Sequence, residues 1–545
     1  MSVIAPNSDV ILLKVPLEMS EDHQLTFANA TAQYNYFNGL PTASKKAFDK
    51  FTYQRKDNTI RLPELIDNLY GFNYVMYRNT NYSSKWFYAY ITDLEYVNDS
   101  VTLAKIKTDV WQTWQFDLTY KATFVEREHV NDDTIGLHTV PESVQLGEPV
   151  INSKTTLAPD KTVKDSDNVV ISYKYPIFFQ VTEFLSAYLP EAETWSGTSE
   201  YNGVFSGLRY FACCGVSDAK YIINQYAAAG KSDAIVSIFL APKEFLDGAV
   251  KLGTGYHIYI PANTTTTSVL LAAKSVTRPT KVDGYTPKNN KLFTYPYSYM
   301  YVTNNAGGDT TYYYEDFASN SPSFGIEGAL GQGCNTRLTP VSYKHYTSGS
   351  EVFDYGLTGA KYPICAWATD YYTNWMAQNA GNINTSVITT AATRALGFEN
   401  ANLFGNTIGA AGNIVGIGAT ILNTIAEVER AKIIPDQARG NITSSDILIG
   451  RQTYFTCNCM SIRSEYAKII DDYFSMFGYK VNTVKVPNIT GRTNWNYVKT
   501  DGCYIEANIP QDDLAEIKDM FDRGVTFWHN PLTFADYSQT NSIVS

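Results

Sequence analysis

The stretch that sets the fold most clearly is Lys85–Val110, which reads KWFYAYITDLEYVNDSVTLAKIKTDV. Its first half is rich in aromatic and aliphatic residues, a composition that suits a pleated, half-buried strand. Polar residues at 98–100 interrupt this run before apolar residues resume at Val101. Two such runs joined by a short polar turn predict a β-hairpin, and residues 60–130 as a whole read as strands.

Composition extends the β interpretation to the rest of the chain. A length of 545 residues exceeds what one hydrophobic core usually organises, so we expect two or more domains. The sequence contains 41 Tyr, 27 Phe and 8 Trp but only 8 Met. Because Tyr and Trp suit strands better than helix interiors, we predict a mainly β protein with α+β parts.

The charge argues against a tight nucleic-acid binder, and the cysteines argue against a secreted protein held by disulfides. With 43 Lys and Arg against 54 Asp and Glu, the net charge of -11 disfavours tight binding of nucleic acid. The acidic balance fits ordinary solubility, or a channel wall that weakly repels DNA. Seven cysteines, two of them adjacent at Cys213 and Cys214, form no disulfide framework and favour folding in a cytoplasm. The first ten residues lack the pattern of a signal peptide.

We divide the chain into four parts by composition. Residues 1–150 are strand-rich, and residues 151–385 are rich in Thr, Tyr, Asn and Gly, which predicts a β-rich middle domain. Residues 386–445 are apolar and rich in glycine, whereas residues 446–545 read as an α+β module. Short apolar runs mark the middle domain at Val169–Tyr173, Ile235–Leu240 and Ser268–Ala273.

The last hundred residues carry clear helix signals. Apolar residues recur at helical spacing over 466–477 and stop at Gly478, which favours a helix end there. A second helix is predicted to begin at Pro510 and to end at Gly524. Strand-like segments lie around the helices at 479–486, 495–498 and 525–528.

The segment 386–445 differs from everything around it. No charged residue stands between Glu399 and Glu427, a span of 27 residues that exceeds the roughly 20 needed to cross a bilayer. Two interpretations stay open: a buried helical hairpin packed through small residues, or a conditional membrane segment with Gly-x-x-x-Gly spacings. The second interpretation assigns membrane penetration to Leu403, Phe404, Ile408, Gly409, Gly412, Ile414, Val415, Gly416, Ile417, Ile421, Leu422 and Ile425.

Motifs for catalysis and ligand binding are weak. Ala229–Ser232 resembles the end of a phosphate-binding loop, but Gln225 stands where that motif needs glycine. Cys457 and Cys459 have no second Cys or His pair at zinc-ligand distance and fit alternate positions of a strand. His129 is most simply a strand residue among charges. We therefore expect no catalytic site, no cofactor and no metal.

Two ordered blocks of aromatic and polar residues lie near the two ends of the chain. The first contains Lys85–Ala89, Gln112–Trp114 and Arg127–Val130. The second contains Gly478–Lys480, Lys485, Pro487–Asn488, Asn496–Val498, Gly524 and Trp528–His529. In this order the two blocks resemble the tail knob proteins of Salas-type podophages, which are small phages with protein-primed replication.

This resemblance implies a structural virion protein and no enzyme. It implies a homohexamer whose β-barrel or sheet modules form the wall of a tube around a DNA channel. A long Gly-rich apolar loop or helical insertion would plug the distal exit, and residues 386–440 lie where that loop belongs. Its partners would be the lower collar, a peptidoglycan hydrolase at the tail tip, the host membrane and passing phage DNA. Its location would be the virion tail, after assembly in the host cytoplasm.

Two other classes of function remain as alternatives. A protein that binds a receptor or wall glycan would present exposed aromatic residues, which Tyr295–Tyr301 and Tyr312–Tyr314 could supply. An enzyme that degrades cell wall would need a convergent acid, base or metal site, and no motif for one is visible in the sequence.

Overall fold

The fold is mainly β, as predicted, with α+β parts. The computed structural model describes residues 7–51, 58–80, 83–159, 161–173, 175–185, 200–201, 204–205, 209–228, 234–253, 255–261, 268–331, 334–344, 353–362, 364–365, 367–368, 438–439 and 455–544. Apart from residues 438 and 439, the predicted apolar segment 386–445 lies outside these residues.

The strands of the described residues are numbered in chain order. They are β1 (Ser8–Leu13), β2 (His23–Leu25), β3 (Lys45–Phe51), β4 (Thr59–Leu62), β5 (Tyr74–Asn79), β6 (Ser83–Asn98), β7 (Val101–Thr108), β8 (Thr119–Tyr120), β9 (Thr123–Glu128), β10 (Val150–Leu157), β11 (Ile177–Val181), β12 (Glu200–Tyr201), β13 (Val204–Phe205), β14 (Arg209–Cys213), β15 (Ile235–Leu240), β16 (Val250–Leu252), β17 (Ile258–Ile260), β18 (Ser268–Ser275), β19 (Ser298–Thr303), β20 (Asp309–Tyr312), β21 (Ser323–Gly328), β22 (Asn335–Val341), β23 (Leu357–Lys361), β24 (Ile364–Cys365), β25 (Trp367–Ala368), β26 (Ala438–Arg439), β27 (Phe455–Ser461), β28 (Tyr479–Lys485), β29 (Trp495–Asp501), β30 (Ile505–Glu506) and β31 (Val525–Trp528).

Helices are fewer than strands in the described part of the chain. They are α1 (Ala30–Asn38), α2 (Val110–Trp114), α3 (Val216–Ala228), α4 (Ser464–Phe477) and α5 (Gln511–Arg523). Among the residues that the structure describes, no helix combines the length and apolar character that a membrane span requires.

The chain forms two compact units, each assembled from separated segments. Unit 1 combines Met1–Glu148, Tyr285–Tyr297 and Arg463–Ser545, and unit 2 combines Pro149–Gly284 and Ser298–Ile462. The chain therefore passes four times between the units.

Two sheets dominate unit 1. A six-stranded antiparallel sheet has the order β3-β1-β5-β6-β7-β4, and a five-stranded sheet has the order β2-β31-β29-β9-β28. The predicted hairpin is confirmed, since β6 pairs with β7 with Ile91 opposite Ile106. In the second sheet, β9 from the N-terminal part pairs with both β28 and β29 from the C-terminal part.

Aromatic side chains fill the core of unit 1. Phe37 of α1 stacks on Tyr74 of β5 with ring centroids 5.6 Å apart, and Trp495 lies 5.2 Å from Trp528. Buried Asp109 caps α2 by accepting a hydrogen bond from the Gln112 backbone N at 2.9 Å. Tyrosine and tryptophan thus supply the buried apolar area that the composition indicated.

The C-terminal module agrees with the sequence signals. Helix α4 ends at Gly478, whose N–H bonds the Phe474 carbonyl at 2.8 Å, and α5 follows Pro510 and ends at Gly524. Both glycines have positive φ, of 66° and 98°, which favours a residue without a side chain. The strands predicted between and after the helices are β28, β29 and β31.

Unit 2 contains a four-stranded sheet β10-β27-β19-β20, a six-stranded sheet β16-β17-β14-β11-β15-β24 and a four-stranded sheet β18-β21-β22-β23. The apolar run Ile235–Leu240 is β15, whereas Val169–Tyr173 forms only one bridge, between Lys164 and Val170. Asp165 explains this difference, because its carboxylate accepts the backbone N–H of Val169 at 2.8 Å and curls the chain into a turn.

A substitution at Gly478 tests how closely α4 and β9 approach. A Cβ there would lie 2.1 Å from the Glu128 carbonyl oxygen and 2.6 Å from the His129 backbone nitrogen. We expect Gly478→Ala to lower the free energy of unfolding by roughly 3 kcal/mol in denaturant titrations, because backbone must move.

The matched control for this test is Gly502→Ala. Gly502 also has positive φ, of 68°, but no atom within 4 Å of the added Cβ. Gly502→Ala should lower the free energy of unfolding only by the cost of positive φ for a residue with a side chain, about 1–2 kcal/mol. Equal losses for the two variants would contradict the close contact.

Candidate functional site

The residues predicted to penetrate the membrane lie outside the described residues, so their role stays a prediction. They are Leu403, Phe404, Ile408, Gly409, Gly412, Ile414, Val415, Gly416, Ile417, Ile421, Leu422 and Ile425. The weak phosphate-loop motif at 229–232 also falls outside the described residues.

Three of the seven tyrosines that could have formed a sugar-binding surface are core residues. Tyr297, Tyr312 and Tyr314 are fully buried, and only Tyr295 exposes a large fraction, 45%. Tyr312 packs edge-on against Phe324 at 5.2 Å in the core of unit 2. The three buried tyrosines therefore offer no ring face to a glycan, whereas Tyr299, Tyr301 and Tyr313 are half-buried.

The cysteine pair that was considered for metal binding is also buried. Cys457 and Cys459 lie on β27 with no exposed surface, and the described cysteines are free thiols. The Cys457 thiol donates to the Cys459 sulfur, which lowers the pKa of Cys459 and raises that of Cys457. Within the described ranges, no three His, Cys, Asp or Glu side chains come together in a way that could hold a metal ion.

The most elaborate polar arrangement in unit 1 joins three distant segments of the chain. The segment Tyr285–Tyr297 belongs to unit 1 but lies in sequence between two segments of unit 2, and we call it the excursion. Four charged residues, at 127, 133, 142 and 471, bind the excursion, and a fifth, at 291, belongs to it. We call this group the segment junction. Its members are Arg127, Asp133, Glu142, Lys291 and Asp471.

Glu142 forms the centre of a buried ion cluster. Its carboxylate accepts Lys291 Nζ at 2.6 Å and the Lys480 backbone N–H at 2.8 Å, and it also pairs with the Arg127 guanidinium. The Glu142 and Lys291 side chains are each only 1% exposed. Burial lowers the pKa of Lys291, while the adjacent Glu142 charge opposes that shift. Removing either partner would leave an uncompensated buried charge.

Arg127 and Lys291 also contact aromatic rings. The Arg127 guanidinium lies 4.8 Å from the ring centroid of Tyr473, and Lys291 Nζ lies 5.3 Å from that of Tyr479. These rings exclude water from the cations and attract them through their faces. Arg127 Nη1 also donates to the Gly478 carbonyl at 2.7 Å. The junction therefore fixes the end of α4 as well as the excursion.

Asp471 on α4 anchors the start of the excursion. Its fully buried carboxylate accepts the Tyr285 hydroxyl at 2.7 Å, the Lys288 backbone N–H at 2.7 Å and the Asn289 backbone N–H at 3.0 Å. The Asn289 side-chain amide donates to it as well, at 2.9 Å. Both carboxylate oxygens are thus occupied by donors from one short segment.

Asp133 anchors the next residue of the excursion. It accepts the Tyr479 hydroxyl at 2.6 Å and the Asn290 backbone N–H at 3.0 Å, and its carbonyl accepts the Asn290 amide at 2.8 Å. Burial raises the pKa of Asp133, although these hydrogen bonds oppose the increase. Three acids therefore hold three consecutive positions, 289 to 291, of the excursion.

His129 lies beside the junction and is held neutral. Its Nδ1 accepts the Tyr497 backbone N–H at 2.8 Å, so its Nε2 carries the proton and donates to the Ser475 carbonyl at 3.1 Å. Burial, with a further contribution from the Arg492 charge, lowers the pKa of His129 to about 3. A histidine with both nitrogens engaged has a structural role here.

The chemistry of this region is that of a structural connection. The acids of the junction are occupied by donors, and the histidine beside it is neutral and enclosed. Sequence analysis missed the junction because its partners are far apart in sequence. The only local signal was the pair of turn-forming asparagines at Asn289 and Asn290 within a β-rich region.

Comparison with protein families identifies two matching models. Residues 262–542, slightly more than half of the chain, match the C-terminal domain of the Bacillus phage phi29 tail knob protein gp9. Residues 6–119 match the N-terminus of the caudoviral major tail protein, a region that contains the whole six-stranded sheet of unit 1.

Whole-chain relatives agree with the family models. The tail knob protein gp9 of Bacillus phage phi29 is 24% identical over 602 aligned residues, which cover 98% of both chains. The tail knob protein gp9 of Bacillus phage B103 is also 24% identical, over 96% of this chain and 97% of its own. These names belong to a structural tail component and not to an enzyme.

A solved structure has the same fold. The tail knob protein gp12 of bacteriophage C1 superposes with a TM-score of 0.64 at 12% identity, covering 98% of this chain and 100% of that chain. The likeness therefore extends over both units and their interleaved segments.

Asp471→Asn tests the anchoring of the excursion. The variant keeps the shape of the side chain but replaces one acceptor oxygen by a donor facing other donors. We expect each orphaned donor to lower the free energy of unfolding by roughly 1–3 kcal/mol in denaturant titrations, and limited proteolysis to cut within 285–297. Asp472→Asn is the control, because Asp472 is 62% exposed and its ion pair among the described residues is with Lys288, at 3.2 Å. Equal loss in both variants would contradict the anchoring role.

The buried histidines predict sensitivity to acid. Burial lowers the pKa of His129 to about 3 and that of His529 to about 4. Below about pH 6.5, these two histidines therefore bind more protons in the unfolded chain than in the folded chain. Stability should fall by about 1.4 kcal/mol per pH unit per histidine between about pH 6 and pH 4. Asp109, whose pKa burial raises to about 6, acts in the opposite direction.

The measurement is the free energy of unfolding of the full chain and of His129→Gln against pH. In this pH window, the slope of the free energy of unfolding against pH should be smaller for the variant by about 1.4 kcal/mol per pH unit, which corresponds to about one proton. Identical slopes for the two proteins would show that His129 does not titrate as the buried geometry requires.

Proposed function

Because this chain belongs to the family of the Bacillus phage phi29 tail knob protein gp9 and is a structural component of the virion tail, we propose that it forms the distal knob of a short tail. It assembles with other tail proteins as an oligomer. In the proposed assembly, six copies form a tube around a DNA channel. The observation that carries the proposal is the uncharged 27-residue span in a chain that aligns with tail knob proteins along 98% of its length.

The strand edges of the fold support a closed ring. Open sheets expose unpaired backbone groups that must be covered or paired, and neighbouring copies around a symmetry axis can do this. The net charge of -11 supports an acidic or neutral channel wall. Such a wall repels phosphates weakly, so DNA could slide through it without sequence-specific binding.

The plug proposal for residues 386–445 follows from solvation. Water tolerates a long uncharged apolar segment only if the side chains pack against one another, and six copies that converge on an axis supply such packing. Each Leu, Ile or Phe side chain moved from water into packed protein or lipid gains about 1.5–3 kcal/mol. Transfer from plug to bilayer is therefore nearly balanced, and contact with a membrane could trigger it.

The knob also has proposed neighbours in the tail and a proposed order of events during infection. The knob would be made and assembled in the host cytoplasm, with the lower collar above it and a peptidoglycan hydrolase below it in the finished tail. On contact with the host membrane the plug would open or insert, and the genome would be ejected. Neither a cofactor nor a catalytic step is needed for these events.

Ile417→Asp tests the membrane role of the plug. A charge at the centre of a spanning segment adds about 2.5–3.5 kcal/mol per copy, which is multiplied across a ring. We expect the variant to assemble as wild type but to lose release of an encapsulated dye from liposomes. Ile417→Leu is the matched control and should keep wild-type release.

A deletion of residues 402–426 completes this test. The shortened protein should assemble into an open tube that does not release dye. If the deletion releases dye as well as wild type does, the segment is structural filling and the penetration proposal is wrong.

A further inference from the structure

Strand β6 extends well beyond one of its neighbours. Its bounds are Ser83–Asn98, but its pairing with β5 ends with Tyr90 opposite Tyr74. Among the described strands, residues 92–98 pair only with β7. We call residues 92–100 the β6 overhang. Tyr96 and Val97 within it are 56% and 48% exposed.

The overhang is acidic as well as apolar. It contains Asp93, Glu95 and Asp99 and no basic residue. Lys105 of β7 pairs with Asp93 at 3.2 Å and also with Glu95. Lys105 therefore pairs with two of the three acids, and the third, Asp99, accepts a hydrogen bond from the Tyr96 hydroxyl. The overhang keeps an excess of negative charge.

A second open edge has the opposite character. Strand β28 is the last strand of its sheet and pairs only with β9 among the described residues. We call residues 479–486 the β28 edge. It contains Lys480 and Lys485 and no acid, and it exposes 67% of Val484 and 51% of Val486. Phe124 of β9 lies opposite Val484 and is 38% exposed, so it extends the apolar surface.

The other open edges of unit 1 carry features that discourage contact. In the six-stranded sheet, the edge strand β3 carries Lys45 and Lys46, and the other edge strand, β4, has four residues and carries Arg61. At the opposite end of the second sheet, β2 is only three residues long. Charged residues and short strands are the usual protection of a sheet edge. The overhang and the β28 edge also carry charges, but of opposite sign, and they combine these charges with exposed apolar side chains. Lys485 pairs with buried Glu128, so Lys480 supplies the positive charge of the β28 edge. Opposite charges beside apolar side chains favour a contact between the two surfaces.

We infer that the β6 overhang of one copy docks on the β28 edge of the next copy. The two surfaces belong to different sheets of unit 1, so the contact is heterologous and passes from copy to copy until a ring closes. Val97, which shares a strand face with Asp93 and Glu95, would meet Val484 and Val486, while these acids would face Lys480. The inference rests on the proposed ring and assigns the surfaces that form it.

The experiment is disulfide trapping in the assembled full chain. In the double variant Val97→Cys with Val484→Cys, each copy carries both halves of the contact. Mild oxidation should give a covalent ladder that reaches six copies on a denaturing gel. Each single variant should stay monomeric on the gel, and a mixture of the two single variants should give dimers only, because one bond uses up both cysteines.

Leu532→Cys combined with Val97→Cys is the control for random collision, because Leu532 is 93% exposed and lies outside both surfaces. It should give no ladder. A second measurement uses Val97→Asp and Val484→Asp, each of which should raise the concentration for half assembly at least tenfold in sedimentation experiments. Leu532→Asp should assemble as wild type.

The outcomes separate this inference from the proposed function. Wild-type rings that give no ladder, with both Asp variants assembling normally, would overturn the docking surfaces and leave the ring in place. Wild-type protein that forms no ring would instead refute the tube, and the docking inference with it. Melting curves of the cysteine and aspartate variants should match wild type, since all three positions are exposed.

Discussion

The structure of unit 1 depends on the burial of the Glu142 carboxylate between two cations. An ion removed from water must be paired and hydrogen-bonded, or its desolvation would destabilise the fold by several kcal/mol. Glu142 meets this condition only when Arg127 from β9, Lys291 from the excursion and the Lys480 backbone from β28 are all present. Three segments separated by more than a hundred residues must therefore meet before unit 1 is complete.

This constraint explains why polar groups in the unit are poor candidates for chemistry. The Asp471 carboxylate accepts hydrogen bonds from the excursion, and the Asp133 carboxylate accepts from Asn290 of the excursion and from Tyr479 of β28. His129 is enclosed and neutral. Function then belongs to surfaces and to the apolar segment, which is consistent with relatives that are named as tail knob proteins.

Local signals in the sequence predicted much of the fold. The hairpin of β6 and β7, the end of α4 at Gly478 and the start of α5 after Pro510 each depend on residues within one or two turns of chain. The segment junction could not be predicted in this way, because Asp471 and Asn289 are 182 residues apart. Buried Tyr312 was likewise offered as a sugar-binding residue, since composition alone does not say whether tyrosine faces solvent or core. The role of the plug residues remains a prediction from their lack of charge.

The central claim is that copies of this chain close into a tube. Electron microscopy of the purified full chain at micromolar concentration tests that claim most directly. The account predicts particles with six-fold symmetry and a central channel wide enough for duplex DNA. A monodisperse monomer or dimer, or a ring without an open axis beneath the plug, would contradict it.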